Sequence, residues 1–358
     1  MNREFGIVYN SKYSDVKNPP NHPLQGSRYL RSIEFFEEIG LLSKPNIKLI
    51  NPEPATTDEI LLAHTKDHLN LVKRLSERGK GQFDPDTPAY EGIYEVALLT
   101  TGGSLTAMRS VLRGDVDCAM NLSGGFHHAK PNQARGYCIF NDVNILGTIL
   151  LNEGIQRVLY VEIDAHFGDG TYHFYKESPK FFTLSFHESG ESLYPYSDVD
   201  YLLGEGEGYG YHVNVPLPIW ADDVAFLYAF RSIFLPIVSS YKPEFIIFQS
   251  GVDGHCRDWQ SHLLLTKRVY LEVARLIRCV IDSNKTKLIV LGGGGYDPMA
   301  AALCWASVIN ELAELQLDLT GYDDECEKEP YENVNTMEKI EQIVNGLSPF
   351  LSPENSSR

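Results

Sequence analysis

The chain is poor in basic residues, paired cysteines and long apolar runs, and each shortage removes a class of function. Only 31 Lys and Arg stand against 48 Asp and Glu, for a formal net charge of −17 over 358 residues. The basic residues are scattered, so no stripe suited to nucleic acid is left. The acidity opposes phosphate polymers and favours cationic or neutral small substrates, although solubility alone is the plainer account of it. Six cysteines (Cys118, Cys138, Cys256, Cys279, Cys304 and Cys326) form no CxxC pair. That argues against a zinc knuckle and suits a reducing compartment. The opening MNREFGIVYN has no apolar signal core, and no apolar run approaches a membrane span. A soluble cytoplasmic protein is expected, with no membrane partner and no direct nucleic-acid partner; its oligomeric state is left open. LGGGGYDP also lacks a dinucleotide fingerprint, because the place of a third glycine falls on Asp297 or Pro298.

What is present is a regular alternation. Short apolar segments read as strands at 5–10, 47–51, 118–123, 157–164, 181–187, 245–251 and 287–295. Several are apolar throughout, as expected for strands covered on both faces. Amphipathic segments between them predict helices near 25–40, 57–78, 89–113, 141–153, 222–240, 263–283 and 300–317, with Asp222 a candidate cap and Thr266 near the start of its helix. The expectation is an α/β fold in a single domain, a central parallel sheet flanked by helices on both faces. The stretch 188–221 reads as a long functional loop. Residues 319–358 read as an acidic C-terminal extension, an appendage with one weak helix near 335–346.

Ligands of open parallel sheets sit beyond the carboxyl ends of the strands. Five strands in succession end in polar or Gly-rich sequence: NLSGGFHHAK, EIDAHFGDG, SFHESG, QSGVDGH and LGGGGYDP. Asp164 and His166 lie two apart and share a side if the segment is extended. With Asp253 from a later strand they would give two carboxylates and an imidazole, a three-donor set for a divalent metal that keeps a position open for water. The alternative makes Asp164 a helix cap and His166 a satisfied core histidine. His127 and His128 follow a Gly–Gly turn and suit acid–base work, with Glu162 and Asp169 available to fix their tautomers. A surface accident is the other reading of that pair. Tyr296 would then be a phenol able to donate to a developing oxyanion.

Taken in order, HPLQGSR, GGFHHA, RGYCIFND, VEIDAHFGDG, LSFHESG, SGVDGH and LGGGGY resemble the histone deacetylase superfamily over residues 5–318, especially its bacterial and archaeal acetoin-utilisation-type members. The resemblance implies an arginase/deacetylase-like fold, a catalytic domain over 1–318, and zinc-dependent hydrolysis of acetylated amines, usually N-acetyl-lysine, with ferrous iron as the alternative metal. It makes Asp164, His166 and Asp253 the metal ligands, and His127 and His128 the tandem histidines, His128 being the general base and acid. Glu162 and Asp169 support that pair, and Tyr296 polarises the acetyl carbonyl. Backbone carbonyls of Glu162, Asp164, His166, Ser185 and Phe186 match a structural potassium site. Gly136, Tyr137, Tyr194, Gln260 and Gly294 match the substrate tunnel, with Asp86 the rim aspartate that holds the substrate backbone.

Several positions depart from the family pattern. Glu162 stands where aspartate is usual, Phe167 replaces a second histidine and Tyr137 replaces a tunnel phenylalanine. Asp258-Trp259 stands for the usual Asp-Pro, and PYSD at 195–198 replaces a Gly-rich turn. Gln260 lacks the charge that would reward the second ammonium of an acetylpolyamine. Tyr137 and Gln260 suggest a more polar tunnel, for an unusual acyl group or a small acetylated amine. The competing readings are a catalytically weak acyl-lysine binder, an acetylpolyamine amidohydrolase, and an arginase-like hydrolase with two metals.

Overall fold

The computed structural model describes residues 3–196, 202–322, 326 and 335–351. Its frame is an eight-stranded parallel sheet. In spatial order the strands are β2 (Ile47–Ile50), β1 (Phe5–Val8), β5 (Cys118–Asn121), β10 (Lys287–Leu291), β9 (Phe245–Gln249), β6 (Val158–Glu162), β7 (Phe181–Glu188) and β8 (His212–Leu217). A separate antiparallel pair joins β3 (Lys80–Asp84) to β4 (Thr87–Tyr90). The helices are α1 (Ser27–Glu38), α2 (Thr57–Ile60), α3 (Lys66–Arg78), α4 (Ile93–Arg113), α5 (Asp142–Asn152), α6 (Asp169–Tyr175), α7 (Asp223–Tyr241), α8 (Lys267–Asn284), α9 (Pro298–Leu312) and α10 (Thr336–Leu347). The expected single-domain α/β fold is what forms.

Period-two alternation sorts the strand residues into two cores. Leu159 and Val161 enter one with Phe182, Leu184, Ile246 and Phe248; Val158 and Tyr160 enter the other with Phe245, Ile247 and Ile289. Residues of α1, α7, α8, α9 and α10 complete the first core, and those of α3, α4 and α5 the second. Helices on both faces explain why the strands read as apolar throughout. Asp222 caps α7 by accepting from Ala225 N, and Thr266 caps α8. The sheet neighbours β5, β10, β9, β6 and β7 line up the five strand ends singled out by the sequence.

Local expectations fail where nonlocal contacts decide. The stretch 57–78 breaks into α2 and α3, because Thr65 donates its N–H to Pro131 O and caps α3 through its side chain. The helix expected from 89 begins at Ile93, since Tyr90 pairs with Lys80 in the hairpin. The supposed loop 188–221 contains edge strand β8, whose polar residues and Pro216 masked it; an edge strand tolerates proline. The extension does not stand apart. Ile340, Val344 and Leu347 of α10 join the first core, and α10 packs on α7 and β8. Cys256 is bonded to Cys326 with Cα atoms 5.5 Å apart, whereas Cys118, Cys138, Cys279 and Cys304 are free. The cysteines are therefore not all reduced here; spacing along the chain could not reveal a pair separated by 70 residues. Among the described residues α7 is long and apolar enough to cross a membrane, yet its apolar residues serve the core, where ten of them are buried.

Candidate active site and metal centre

The site begins where β6 runs out. Glu162 continues the side-chain parity of Tyr160, and the chain then leaves the sheet at Asp164 and re-enters a helix at Asp169. Asp164, His166 and Asp253 offer donor atoms within 4.8 Å of one another, all three buried. His166 Nδ1 lies 2.8 Å from Asp253 Oδ2 and 3.2 Å from Asp164 Oδ1. Asp164 Oδ2 accepts from Gln249 Nε2 at 2.7 Å and from Gly294 N at 2.8 Å, and Asp253 Oδ1 accepts from Ala165 N at 2.7 Å. The protein thus fixes an oxygen of each carboxylate, and Asp164 Oδ1 also accepts from His166 N at 3.0 Å. Gly294 is required here, since a Cβ would fall 2.0 Å from Asp253 Oδ2. Burial, then the Asp164 charge, pushes Asp253 up; burial opposes ionisation of Asp164, but His127 and His166 hold it well below the usual range. Two buried carboxylates this close call for a cation. With one imidazole they suit a borderline divalent ion, zinc or ferrous iron, so the donor set fits the metal that the sequence implied.

The tandem histidines face this cluster, and each rests on its own acid. His127 Nδ1 donates to Glu162 Oε2 at 2.7 Å, and His128 Nδ1 donates to Asp169 Oδ1 at 3.0 Å. Glu162 also accepts from Gly168 N at 3.0 Å and from Tyr160 OH. Burial lowers both imidazoles, but Glu162 and Asp164 outweigh it at His127 and raise it to about 9. At His128 burial is reinforced by His127 and lowers it to about 4. The two adjacent rings are thus pushed in opposite directions, His127 towards its charged form and His128 towards its neutral one. The turn that carries them is clamped by Asp142, which accepts from Gly125 N and Phe126 N.

A cleft of about 270 Å³ opens onto these groups; Asp86, Gly136, Tyr137, Tyr194, Gln260, Gly294 and Tyr296 line it together with His127, His128, Asp164 and His166. Tyr194 meets His128 edge-on at 5.0 Å, and Tyr137 meets Tyr296 edge-on at 5.8 Å. Removal from water, then the Asp253 and Asp164 charges, pushes the Tyr296 phenol well above its usual value, leaving it a proton donor. Its backbone N–H is held by Asp258, which also accepts from Gln260 N at 2.9 Å. Gly136 lies against His128, where a Cβ would come within 2.6 Å of the ring. Ser185 sits opposite Glu162 in the register of β6 and β7, with Phe186 next along β7.

Residues 22–312 match the histone deacetylase domain. The chain belongs to this family. The acetoin utilization protein AcuC of Bacillus subtilis is 33% identical over 331 residues, spanning 90% of this chain and 83% of its own. The protein of the same name from Staphylococcus aureus is 34% identical over 325 residues, spanning 88% and 83%. A solved HDAC homolog from Aquifex aeolicus superposes with TM-score 0.83 at 27% identity, covering 96% of this chain and 99% of that one. The HDA15 HD domain shares the fold at TM-score 0.83 and 23% identity, over 99% and 98% of the two chains. The family is metal-dependent and supports deacetylase, that is amide-hydrolase, chemistry.

Against the family pattern, Phe167 packs on Tyr172 and His187, with ring centroids 5.7 and 4.9 Å away. Ser197 and Asp198 of the altered PYSD turn lie outside the described residues. Four contributors escaped the sequence reading: Gln249, Asp142, Tyr160 and Arg135. Gln249 is a buried amide closing an apolar strand, and that oddity was a usable signal. Arg135 and Asp142 bound the RGYCIFND stretch, which carried no role for either, and nothing local marked Tyr160.

Proposed function

We propose that this chain is a deacetylase that hydrolyses acyl-lysine side chains or small acetylated amines at a single divalent metal. The observation that carries the reading is the pair of adjacent imidazoles, each hydrogen-bonded to its own carboxylate, facing a three-donor cluster at the base of a cleft. Asp164, His166 and Asp253 would hold zinc or ferrous iron, which when bound polarises the amide carbonyl and acidifies a water. Backbone carbonyls of Glu162, Asp164, His166, Ser185 and Phe186 would hold a structural potassium ion.

The protein's own groups do the rest. The acyl-amine arm passes between Tyr137 and Tyr194, and Asp86 waits at the rim. His128 has its Nδ1 proton committed to Asp169, so Nε2 is the basic atom. Nε2 takes the proton of the attacking water and returns it to the leaving nitrogen, giving a carboxylate and a free amine. Tyr296 donates its O–H to the oxygen on which negative charge develops, and Glu162 holds His127 in place beside His128. Gln260 is neutral, which favours acyl-lysine over an acetylpolyamine. One D-x-H cluster among the described residues favours one metal over a binuclear arginase-type pair.

The test is metal content with turnover of acetyl-lysine peptide, acetylspermidine and longer acyl-lysines. Tyr296→Phe is expected to keep its metal and lose roughly 100-fold or more in kcat, and Asp253→Ala to lose metal and activity together. Wild-type protein that holds one metal per chain yet turns over no acyl amide would overturn the reading in favour of a binder.

A further inference from the structure

The chemistry above gives no role to Arg135, yet its side chain touches both walls of the His128 pocket. It stands at the head of a tight turn, where its backbone N–H and carbonyl both pair with Cys138. The guanidinium is committed on two edges. Nη1 donates to Oδ2 of Asp169, and Nε donates to the Tyr194 hydroxyl at 2.9 Å. The same guanidinium lies 5.3 Å from the centre of the Tyr194 ring. The other Asp169 oxygen accepts from His128, and the Tyr194 ring returns to His128 edge-on. Four side chains from three segments therefore form a closed circuit: Arg135, Asp169, His128 and Tyr194.

We propose that Arg135 is a positioning residue: its guanidinium locks the Asp169 carboxylate, and through it the His128 imidazole, against the Tyr194 wall of the tunnel. This rests on the deacetylase reading above. A carboxylate bonded through one oxygen can swing about its side-chain torsion, and His128 would swing with it. Binding the second oxygen removes that freedom. A planar fork can span a carboxylate and a phenol at once, which the single ammonium of lysine cannot. Because Tyr194 also walls the cleft, a substrate arm that presses on the ring acts through Arg135 on the orientation of the base. Lys130 lies 3.5 Å from the same Asp169 oxygen, too far for a short hydrogen bond, so it supplies charge without geometry.

The proposal is tested on full-length, metal-loaded protein with the acyl-lysine substrate that the wild type turns over best. Arg135→Ala is expected to lower kcat by about 10- to 100-fold, with KM within about threefold and metal content unchanged. Guanidinium ion in the buffer should restore part of that loss, and ammonium ion should not. Arg135→Lys should remain impaired, and Lys130→Ala should lose less than Arg135→Ala. A merely structural arginine would lower the melting temperature without a rescuable loss of kcat per folded molecule. A kcat within about twofold of wild type in Arg135→Ala, or a loss that guanidinium leaves untouched, overturns the proposal. Should Arg135→Ala not fold, an Arg135→Lys variant with wild-type kcat does the same. Wild-type protein inactive on every acyl amide would instead sink the deacetylase reading itself.

Discussion

Glu162→Asp shortens the carboxylate behind His127 by one methylene. The acid then retreats by about 1.5 Å, one C–C bond. Its partners cannot follow. His127 is pinned by its own N–H to Gly125 O and by Asn141 on its carbonyl, and Gly168 already lies against the carboxylate. Contacts of 2.7 Å to His127 and 3.0 Å to Gly168 N would stretch past hydrogen-bond range. The charge-assisted bond contributes about 2 kcal/mol and the orphaned buried N–H costs about 1 kcal/mol more. A loss on the order of 3 kcal/mol corresponds to roughly 4 °C in melting temperature for a chain of this size. Activity should fall about 10- to 100-fold, because His127 loses the group that orients it. Thermal melting, metal content and steady-state kinetics on acetyl-lysine peptide read the outcome. Glu162→Gln keeps the length and removes the charge, which separates reach from electrostatics. Glu162→Asp protein with wild-type melting temperature and kcat would refute the argument that this pocket needs the longer arm.

Two further outcomes follow from features away from the chemistry. The Cys256–Cys326 bond closes a 70-residue loop, worth about 4 kcal/mol in chain entropy. Cys326→Ser or added reductant should therefore lower the melting temperature by several degrees, and no shift in a protein whose thiol count shows the bond closed would count against this. His64 and His212 are buried and neutral, lowered by burial to about 3 and about 4. Above pH 6.5 both states are neutral and the pair contributes nothing. As pH falls the unfolded chain takes up protons that the fold refuses, so stability is lost between pH 6.5 and about 4, by up to about 3 kcal/mol for His212. Denaturant melts at pH 7 and pH 5 should show this, with a shallower slope in His212→Gln; equal slopes would refute it.

Much of the candidate site is legible in the sequence because its logic is local. A buried strand must be apolar, and acids or a histidine placed on its last residues are then conspicuous, as at Asp164 and His166. A Gly–Gly turn before two histidines is equally conspicuous. What escaped detection depends on partners remote in sequence. Tyr160 reads as one more apolar strand residue until its hydroxyl is found on Glu162. Arg135 opens the RGYCIFND stretch without a role until Asp169 and Tyr194 close on it. β8 reads as loop because its own residues are mixed, and it becomes a strand by pairing with β7 and being covered by α10.

The sequence by itself determined the fold class, the five polar or Gly-rich strand ends and the kinds of donor each would carry. Side-chain period and chemical type are properties of single segments, and a chain states them in order. The tertiary structure alone decided which ends become neighbours. His166 and Asp253 lie 87 residues apart and meet at 2.8 Å only because β9 lies beside β6. It also decided which side chain fixes which, and whether the acidic extension floats or docks. Those outcomes rest on contacts between distant segments, whose distances exist only once the whole sheet has assembled.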